Sequence, residues 1–410
     1  MGTIFAAYRI CEMLSSTRSY FAFGCFSFLL VACQPKTEKV NATPRFYDQP
    51  IKPAALPLAY ADTTSPENQK IIQRLDSFYR IQVRAGFNGS VLIGQGGKVL
   101  YERYFGQARK ETGIPLESNS AIQLASISKT FTGAAALYLH QHNYLNIEDP
   151  VSTYIPGFPY PNITVKMLLN HRSGLSEYQK WDKRYVKNAN VPMSNEQIVN
   201  VLVKQKPPLE SRPDTRFKYC NTNYALLASI IEKVTEMKYE DFMQRYIFEP
   251  LGMNNTFVYR APKALPGHAS YNYRFNWARW PDNFADGVVG DKGIFSTVRD
   301  MYRWDQSFYE GKLLNNETLE LAYGPCSFEK PGVKNYGLGW RMLCYPSGNK
   351  VIYHNGWWHG NNTLFYRFIK DNLTFIVLGN KYNNGIYRQA KVLYSIVKNV
   401  PVDSDFDEEG

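Results

Sequence analysis

The β-rich segments of this chain lie at its two ends and leave a long helical stretch between them, and this placement constrains the fold more than any other feature. Residues 88–105 alternate apolar and polar around Gly94-Gln95-Gly96-Gly97, as a hairpin does. Beyond residue 335 the runs 337–342, 351–354, 363–369 and 374–378 alternate or are rich in β-branched and aromatic residues. Between the two regions, 126–143, 224–234, 241–246 and 298–308 carry apolar or small residues at helical spacing. Strands so far apart in sequence bury their apolar faces most economically in a single sheet. The expected fold is α/β, of the α+β kind: an antiparallel five-stranded sheet built from both chain ends and flanked by helices, with a mostly helical lobe at about 141–284 inserted. The flanking helices are one that begins at Ser65, with Ile71, Ile72, Leu75, Phe78, Ile81 and Val83 as its apolar positions, and one at 387–397.

With 410 residues, 44% of them hydrophobic and 15% aromatic, the chain can bury a large core. The formal charge of +11 comes from dispersed Lys and Arg rather than a dense basic run with interleaved aromatics, so nucleic acid is not an expected partner. Residues 21–33 are apolar, follow Arg9 and Arg18, and are too few to span a bilayer, which suits a signal peptide over 1–32. The sequence Leu30-Val31-Ala32-Cys33 resembles a bacterial lipobox. That resemblance implies lipidation of Cys33 and an exported, membrane-anchored protein of the cell envelope; a plain secretory signal is the alternative. Residues 33–64 read as a tether rich in Pro, Thr, Ala and Lys, 65–400 as the working domain, and 401–410 as an acidic tail. Cys220, Cys326 and Cys344 show no metal-site spacing. Cys326 and Cys344 either pair across a hairpin or stay as buried reduced thiols, the second reading being preferred.

A Ser-x-x-Lys at a helix start places hydroxyl and amine one turn apart on one face, where the amine can take the hydroxyl proton. Ser126-Ile127-Ser128-Lys129 has this form. So do the stretches opening at Ser327, Ser347 and Ser395, so the spacing alone selects nothing. Ser126 differs from them in its setting. A β-prone stretch, 121–124, precedes it, and small apolar residues, 131–137, follow it; downstream come Tyr219-Cys220-Asn221 at the opening of another apolar helix and His354-Asn355-Gly356 at the end of a strand.

This ordered triple resembles the serine β-lactamase and penicillin-binding protein superfamily, nearest its class C-like branch, which also holds esterases and D-amino-acid peptidases. The segments 146–156, 168–175, 249–253 and 292–297 with Asp300 also look like that family's signature stretches. The resemblance covers roughly 65–395 and implies a β-lactamase/transpeptidase-like fold and a serine acyl hydrolase without metal or organic cofactor. It makes Ser126 the nucleophile, Lys129 the base and Tyr219 the proton path to the leaving group. Asn221, His354, Asn355, Gly356 and the N–H of Trp357 would bind substrate, with Trp357 and Ser126 supplying the oxyanion donors. The expected partner is a small ester or D-amino-acid peptide, including peptidoglycan fragments or β-lactams. His171 is read as structural.

Three departures bear on substrate. His354 stands where much of the family has lysine, and a histidine is largely neutral at pH 7, which lowers the expectation of dedicated β-lactamase activity. A true β-lactamase and a penicillin-binding lipoprotein without turnover remain the alternatives. Trp357, Trp358 and His359 either offer aromatic surface to a substrate or serve packing. Asp214 occupies a turn position where glycine is usual.

Overall fold

The computed structural model describes residues 57–402 of the protein. The expected signal peptide, Cys33, the expected tether up to residue 56 and residues 403–410 lie outside the described residues.

Strand β1 (Ala59–Tyr60) precedes α1 (Pro66–Arg84), whose N-cap Ser65 accepts from the Asn68 N–H and whose first position is a proline that needs no donor. Strands β2 (Gly89–Gln95) and β3 (Lys98–Phe105) form the expected hairpin, turned by Gly96 and Gly97 at φ 58° and 76°, the left-handed pair that a tight hairpin needs. A short ribbon follows, β4 (Gln107–Arg109) with β5 (Ile114–Pro115). Then β6 (Ile122–Gln123) leads through a tight turn into α2 (Ser128–Gln141). The middle of the chain holds α3 (Val165–Leu169), α4 (Asn195–Gln205), α5 (Asn221–Thr235) and α6 (Tyr239–Phe242), the last running on as a π-helical turn. Strands β7 (Phe257–Val258) and β8 (Ile294–Ser296) join β6 in a small sheet of order β6-β8-β7. After α7 (Val298–Tyr309) and α8 (Asn316–Ala322) come β9 (Lys334–Tyr336), β10 (Arg341–Cys344), β11 (Lys350–Trp358), β12 (Asn361–Phe368), β13 (Leu373–Gly379) and α9 (Gln389–Lys398).

The main sheet has eight strands rather than the expected five, in the order β1-β3-β2-β13-β12-β11-β10-β9. The two chain ends meet where β13 pairs antiparallel with β2, Val377 opposite Val91. The extra strands are short ones at the two sides of the sheet, β1 at one edge and β9 with its neighbour β10 at the other, with little pattern to read. Ala59–Tyr60, assigned above to the tether, pair parallel with Lys98 and Val99. The run 337–342 is not one strand, because residues 337–340 turn the chain between β9 and β10, Gly339 at φ 92°.

Strand alternation divides the interior in two. Val91 and Ile93 of β2 with Phe375 and Val377 of β13 face Leu75 and Tyr79 of α1 and Leu393 of α9. Leu92, Ile376 and Leu378 face the other way, into a larger core with α2, α5 and α7. Small residues 133–136 let α2 lie buried there, with Phe131 stacked on Trp304 at 4.0 Å. Cys220, Cys326 and Cys344 are all free thiols, so the disulfide alternative is not realised; Cys220 is buried and its burial pushes the thiol up to about 12, whereas Cys326 and Cys344 are only half-buried.

Candidate active site

Ser126 sits in a single turn of 3-10 helix, Ala125–Ile127, immediately before α2. The turn is strained at Ala125, whose φ is 50°, and is pinned on both sides. The Leu124 N–H donates to the Ile294 carbonyl at 2.8 Å, and the Leu124 carbonyl accepts from Thr363 Oγ1 at 2.8 Å. Gly356 on β11 lies beneath it: a Cβ there would stand 2.2 Å from the Leu124 oxygen, so only glycine admits this approach. Ser126 is left partly exposed at the start of a helix, where the first N–H groups have no intrahelical partner.

Lys129, one turn on, is fully buried, and its Nζ donates to Ser126 Oγ at 3.2 Å and to the Asp291 backbone carbonyl at 2.7 Å. No carboxylate pairs with it among the described residues; the rings of Tyr219 and Tyr224 lie 5.0 and 5.7 Å from the amine instead. Tyr219 Oη is buried and has no hydrogen-bond partner among the described residues, although Tyr219 borders the same cleft as Ser126. An unpaired buried hydroxyl beside a serine and an amine is a group waiting for a partner.

Asn221 is the first residue of α5. Its backbone N–H donates to Glu177 Oε2 at 2.7 Å and its Nδ2 donates to Glu177 at 3.0 Å and Gln179 Oε1 at 3.3 Å, which leaves Oδ1 as the acceptor available to the cleft. Glu177 thus orients Asn221, and nothing in the motif spacing announced it. Burial raises its carboxyl above the usual range even though N–H groups of Asn221 and Gln179 oppose the shift. His171, at φ 60°, accepts from the Cys220 N–H and from Asn223 Nδ2, both at 3.2 Å, through Nδ1. Its ring packs at a tilt against Tyr219, the centroids 4.3 Å apart, so it positions the Tyr219-Cys220-Asn221 segment. Asp214 does adopt the left-handed conformation of the glycine it stands for, at φ 58°, and its backbone and carboxylate oxygens hold Arg172.

Strand β11 closes the site. Its pairing with β10 stops at Tyr353 opposite Arg341, so the edge from residue 354 to 358 has no strand partner on that side and runs along the cleft. The cleft measures about 810 Å³ and brings Ser126, Tyr219, Asn221, Asn355, Gly356 and Trp357 together. Of the expected site residues, Lys129 and His354 do not line the cleft; Lys129 reaches it through Ser126, and His354 does not. His354 shares a strand face with Ile352 and is fully buried. Its Nδ1 contacts the Asn355 carbonyl at 2.7 Å, which can only accept, so the proton sits on Nδ1 and Nε2 accepts from Tyr336 Oη at 3.4 Å. Burial, with Arg341 and Lys129 nearby, holds its pKa well below 6.5. His354 is therefore a neutral support, 6.2 Å from the Tyr219 ring.

All three residues after Gly356 border the cleft, and two of them are also packed from beneath. Trp357 is 60% exposed and borders the cleft. Trp358 and His359 are anchored from below, Trp358 Nε1 donating to Asp286 Oδ1 at 2.7 Å and His359 Nε2 meeting Oδ2 at 2.9 Å.

Comparison with known proteins agrees with this geometry. A family described as β-lactamase matches residues 80–394. A penicillin-binding protein of Bacillus subtilis (strain 168) is 35% identical over 319 residues, 74% of this chain and 70% of the relative. A teichoic acid D-alanine hydrolase of Staphylococcus aureus is 27% identical and covers 85% of this chain and 82% of its own. In fold, the D-amino acid amidase of Ochrobactrum anthropi SV3, solved with L-phenylalanine, superposes with a TM-score of 0.67 at 21% identity, over 82% of this chain and 99% of that one.

Proposed function

Because this chain belongs to the β-lactamase family of serine hydrolases, we propose that it cleaves a small ester or a D-amino-acid peptide through an acyl-enzyme on Ser126. The observation that carries this reading is the contact of Lys129 Nζ with Ser126 Oγ at 3.2 Å, made by an amine that no carboxylate holds among the described residues. The relatives point to the same chemistry, one being named for the hydrolysis of D-alanine from teichoic acid and another for D-amino acid amides.

In the proposed reaction Ser126 Oγ attacks the substrate carbonyl while its proton passes to Lys129 Nζ. The oxyanion is received by the N–H groups of Ser126 and Trp357. The proton then travels by way of Tyr219 Oη to the departing alkoxide or amine, and the carbon–heteroatom bond breaks. Water attacks the acyl-enzyme, giving its proton back through the same groups, so that acid is released and Ser126 is restored. Asn221 Oδ1 accepts from the substrate's N–H, and exposed Trp357 offers an apolar wall. Neutral, buried His354 supplies no charge to a substrate carboxylate, which favours ester or peptide turnover over dedicated β-lactam hydrolysis. The same reading places the enzyme outside the cytoplasm on a lipid at Cys33; a Cys33→Ser chain that stays membrane-bound would refute the anchor.

The test incubates the protein with short p-nitrophenyl esters, nitrocefin and a fluorescent penicillin, beside Ser126→Ala. Ester turnover abolished in the variant is the expected result. Fast nitrocefin hydrolysis would make it a β-lactamase, and labelling by penicillin without release a binding protein. Ester turnover that survives in Ser126→Ala would remove the nucleophile assignment.

A further inference from the structure

The long connection between β7 and β8 holds a small hairpin outside the constellation around Ser126. Tyr273 and Arg279 bridge antiparallel, the Arg274 N–H donates to the Ala278 carbonyl at 2.8 Å and the Trp277 N–H to the Arg274 carbonyl at 3.0 Å, so 275–277 form its tip. Its base is pinned to the body. The Tyr273 N–H donates to the Asn380 carbonyl at 2.9 Å, and the Tyr273 carbonyl accepts from the Tyr382 N–H at 2.8 Å. The buried Tyr273 ring adds two more ties, its Oη donating to Glu111 Oε2 at 2.7 Å and accepting from the Lys110 N–H at 2.8 Å. The tip faces water. Phe275 is 74% exposed, more than any other large apolar side chain among the described residues, and its ring meets no other ring there.

Cations seated on aromatic rings surround this tip. The guanidinium carbon of Arg274 lies 4.5 Å from the centre of the Trp280 ring, and that of Arg279 lies 3.7 Å from the centre of Tyr271. The amines of Lys381 and Lys110 stand 4.8 and 5.9 Å from the Trp277 ring. None of these four cations makes an ion pair among the described residues. Two carboxylates feel the charge of Arg279: Glu111, which holds Tyr273, and Asp282, which accepts from Tyr259 Oη at 3.4 Å. Four cations against two carboxylates leave the face positive. A cation backed by a ring rests its stem on apolar surface and keeps its charged head outward. An apolar tip, a tryptophan beside it and a ring of Lys and Arg match the layers of an anionic bilayer: acyl boundary, interface and phosphates. A soluble anionic polymer would satisfy the cations but gives a phenyl ring on a pinned tip nothing to enter.

We propose that the hairpin 273–279 is a docking surface for an anionic lipid bilayer, with Phe275 entering the headgroup layer and Arg274, Arg279, Lys110 and Lys381 meeting lipid phosphates. The contact depends neither on the acyl-hydrolase reading nor on a lipid at Cys33, since every group in it belongs to the folded body. Its consequence for the cleft is one of orientation. Trp280, the residue after the hairpin, borders the cleft of Ser126, so a bilayer seated on the hairpin lies beside the mouth of that cleft. Docking turns the cleft towards molecules held at the membrane surface.

The experiment follows amide hydrogen exchange over 271–281 in the full chain mixed with vesicles of phosphatidylcholine, with vesicles of phosphatidylcholine and phosphatidylglycerol, or with soluble polyphosphate. The readout is local, so an anchor elsewhere in the chain does not produce it. Exchange should slow with the phosphatidylglycerol vesicles and not with the other two. The phosphatidylglycerol concentration that gives half of this protection should rise ~10-fold in Phe275→Ser, as withdrawal of a partly buried phenyl ring predicts. It should rise ~25-fold in Arg274→Gln/Arg279→Gln, at ~5-fold for each cation. Phe328→Ser removes a side chain that is 73% exposed but lies outside this hairpin, and should leave the protection unchanged. Melting curves at the wild-type temperature confirm that the variants are folded. Unaltered exchange with the phosphatidylglycerol vesicles, or protection that survives in both hairpin variants, overturns the proposal. Protection by polyphosphate that Phe275→Ser leaves intact assigns the face to an anionic polymer and overturns it as well, as does an equal loss in Phe328→Ser. None of these outcomes requires that an ester be hydrolysed, so failure here leaves the acyl-hydrolase reading standing.

Discussion

Two buried lysines share one aspartate in this protein, and each takes a different part of it. Lys292 Nζ meets the Asp291 carboxylate at 3.1 and 3.4 Å and Tyr178 Oη at 2.5 Å. Lys129 Nζ takes only the Asp291 backbone carbonyl, at 2.7 Å, and has Ser126 Oγ on its other side. An ammonium enclosed with its carboxylate is fixed as an ion pair, because separating the two would strand a buried charge. An amine bound to a carbonyl and a hydroxyl has no such tie, and proton exchange with that hydroxyl is open to it. The pair also bears on the site indirectly: by holding the Asp291 side chain, Lys292 fixes the carbonyl on which Lys129 rests. One lysine is tied into the fold, and the other is the one that the proposed reaction uses.

The largest expected effect separates these duties outright. Lys129→Ala should lower ester kcat by ~10⁴-fold, the scale on which nucleophile–base units fail, while thermal melting stays within a few degrees of wild type. Steady-state hydrolysis and a melting curve on the same sample check both halves. A severe loss of stability in this variant would mean that Lys129 is structural as well and would end the contrast.

Next in size is the reverse case. Lys292→Met leaves the Asp291 carboxylate buried without its counter-charge and should destabilise the protein by ~3–5 kcal/mol in denaturant unfolding. Adding Asp291→Asn removes the stranded charge and should return most of that stability. If the single variant unfolds at the wild-type denaturant concentration, Lys292 is not the structural member of the pair.

Tyr219→Phe sharpens the comparison on the chemical side. Because Tyr219 Oη has no partner among the described residues, removing it breaks no internal bond, so stability should hold while kcat falls ~10²-fold, the low end for a lost proton-transfer group. A marked drop in melting temperature with unchanged kcat would assign the hydroxyl to the fold.

Much of this was legible in the residues before any coordinates. The hairpin about Gly94–Gly97, the helix from Ser65 and the β-rich run at 374–378 are local signals, and they reappear as read. Ser126, Lys129, Tyr219, Asn221 and Gly356 were chosen by their order along the chain over equally spaced decoys, and the structure brings them together around one cleft. What escaped depends on contacts between distant segments. Glu177 reaches Asn221 across 44 positions, and Asp291 reaches Lys129 across 162, with no spacing rule to connect them. His354 was assigned to substrate from motif position, whereas strand alternation with Ile352 turns its ring into the protein.

The smallest effect comes from the buried imidazoles near Lys129. His171 and His354 are both held well below 6.5, by burial first and then by the charges of Lys129 and Arg341. In the unfolded chain each regains its ordinary value, so below pH 6.5 the unfolded state binds protons that the folded state refuses. Their contribution to stability is therefore complete above pH 6.5 and is lost as pH falls through it, each imidazole adding a slope that approaches ~1.4 kcal/mol per pH unit. Glu177 acts with the opposite sign: burial raises its carboxyl, so its contribution declines as pH rises above 4.5. Denaturant unfolding at half-unit steps from pH 7.5 to 5.5 should show stability falling towards acid, less steeply in His354→Gln, whose amide can still donate to the Asn355 carbonyl, and more steeply in Glu177→Gln. A flat profile in the wild type would mean that these rings accept protons in place, and that the surroundings of Lys129 do not exclude a second positive charge.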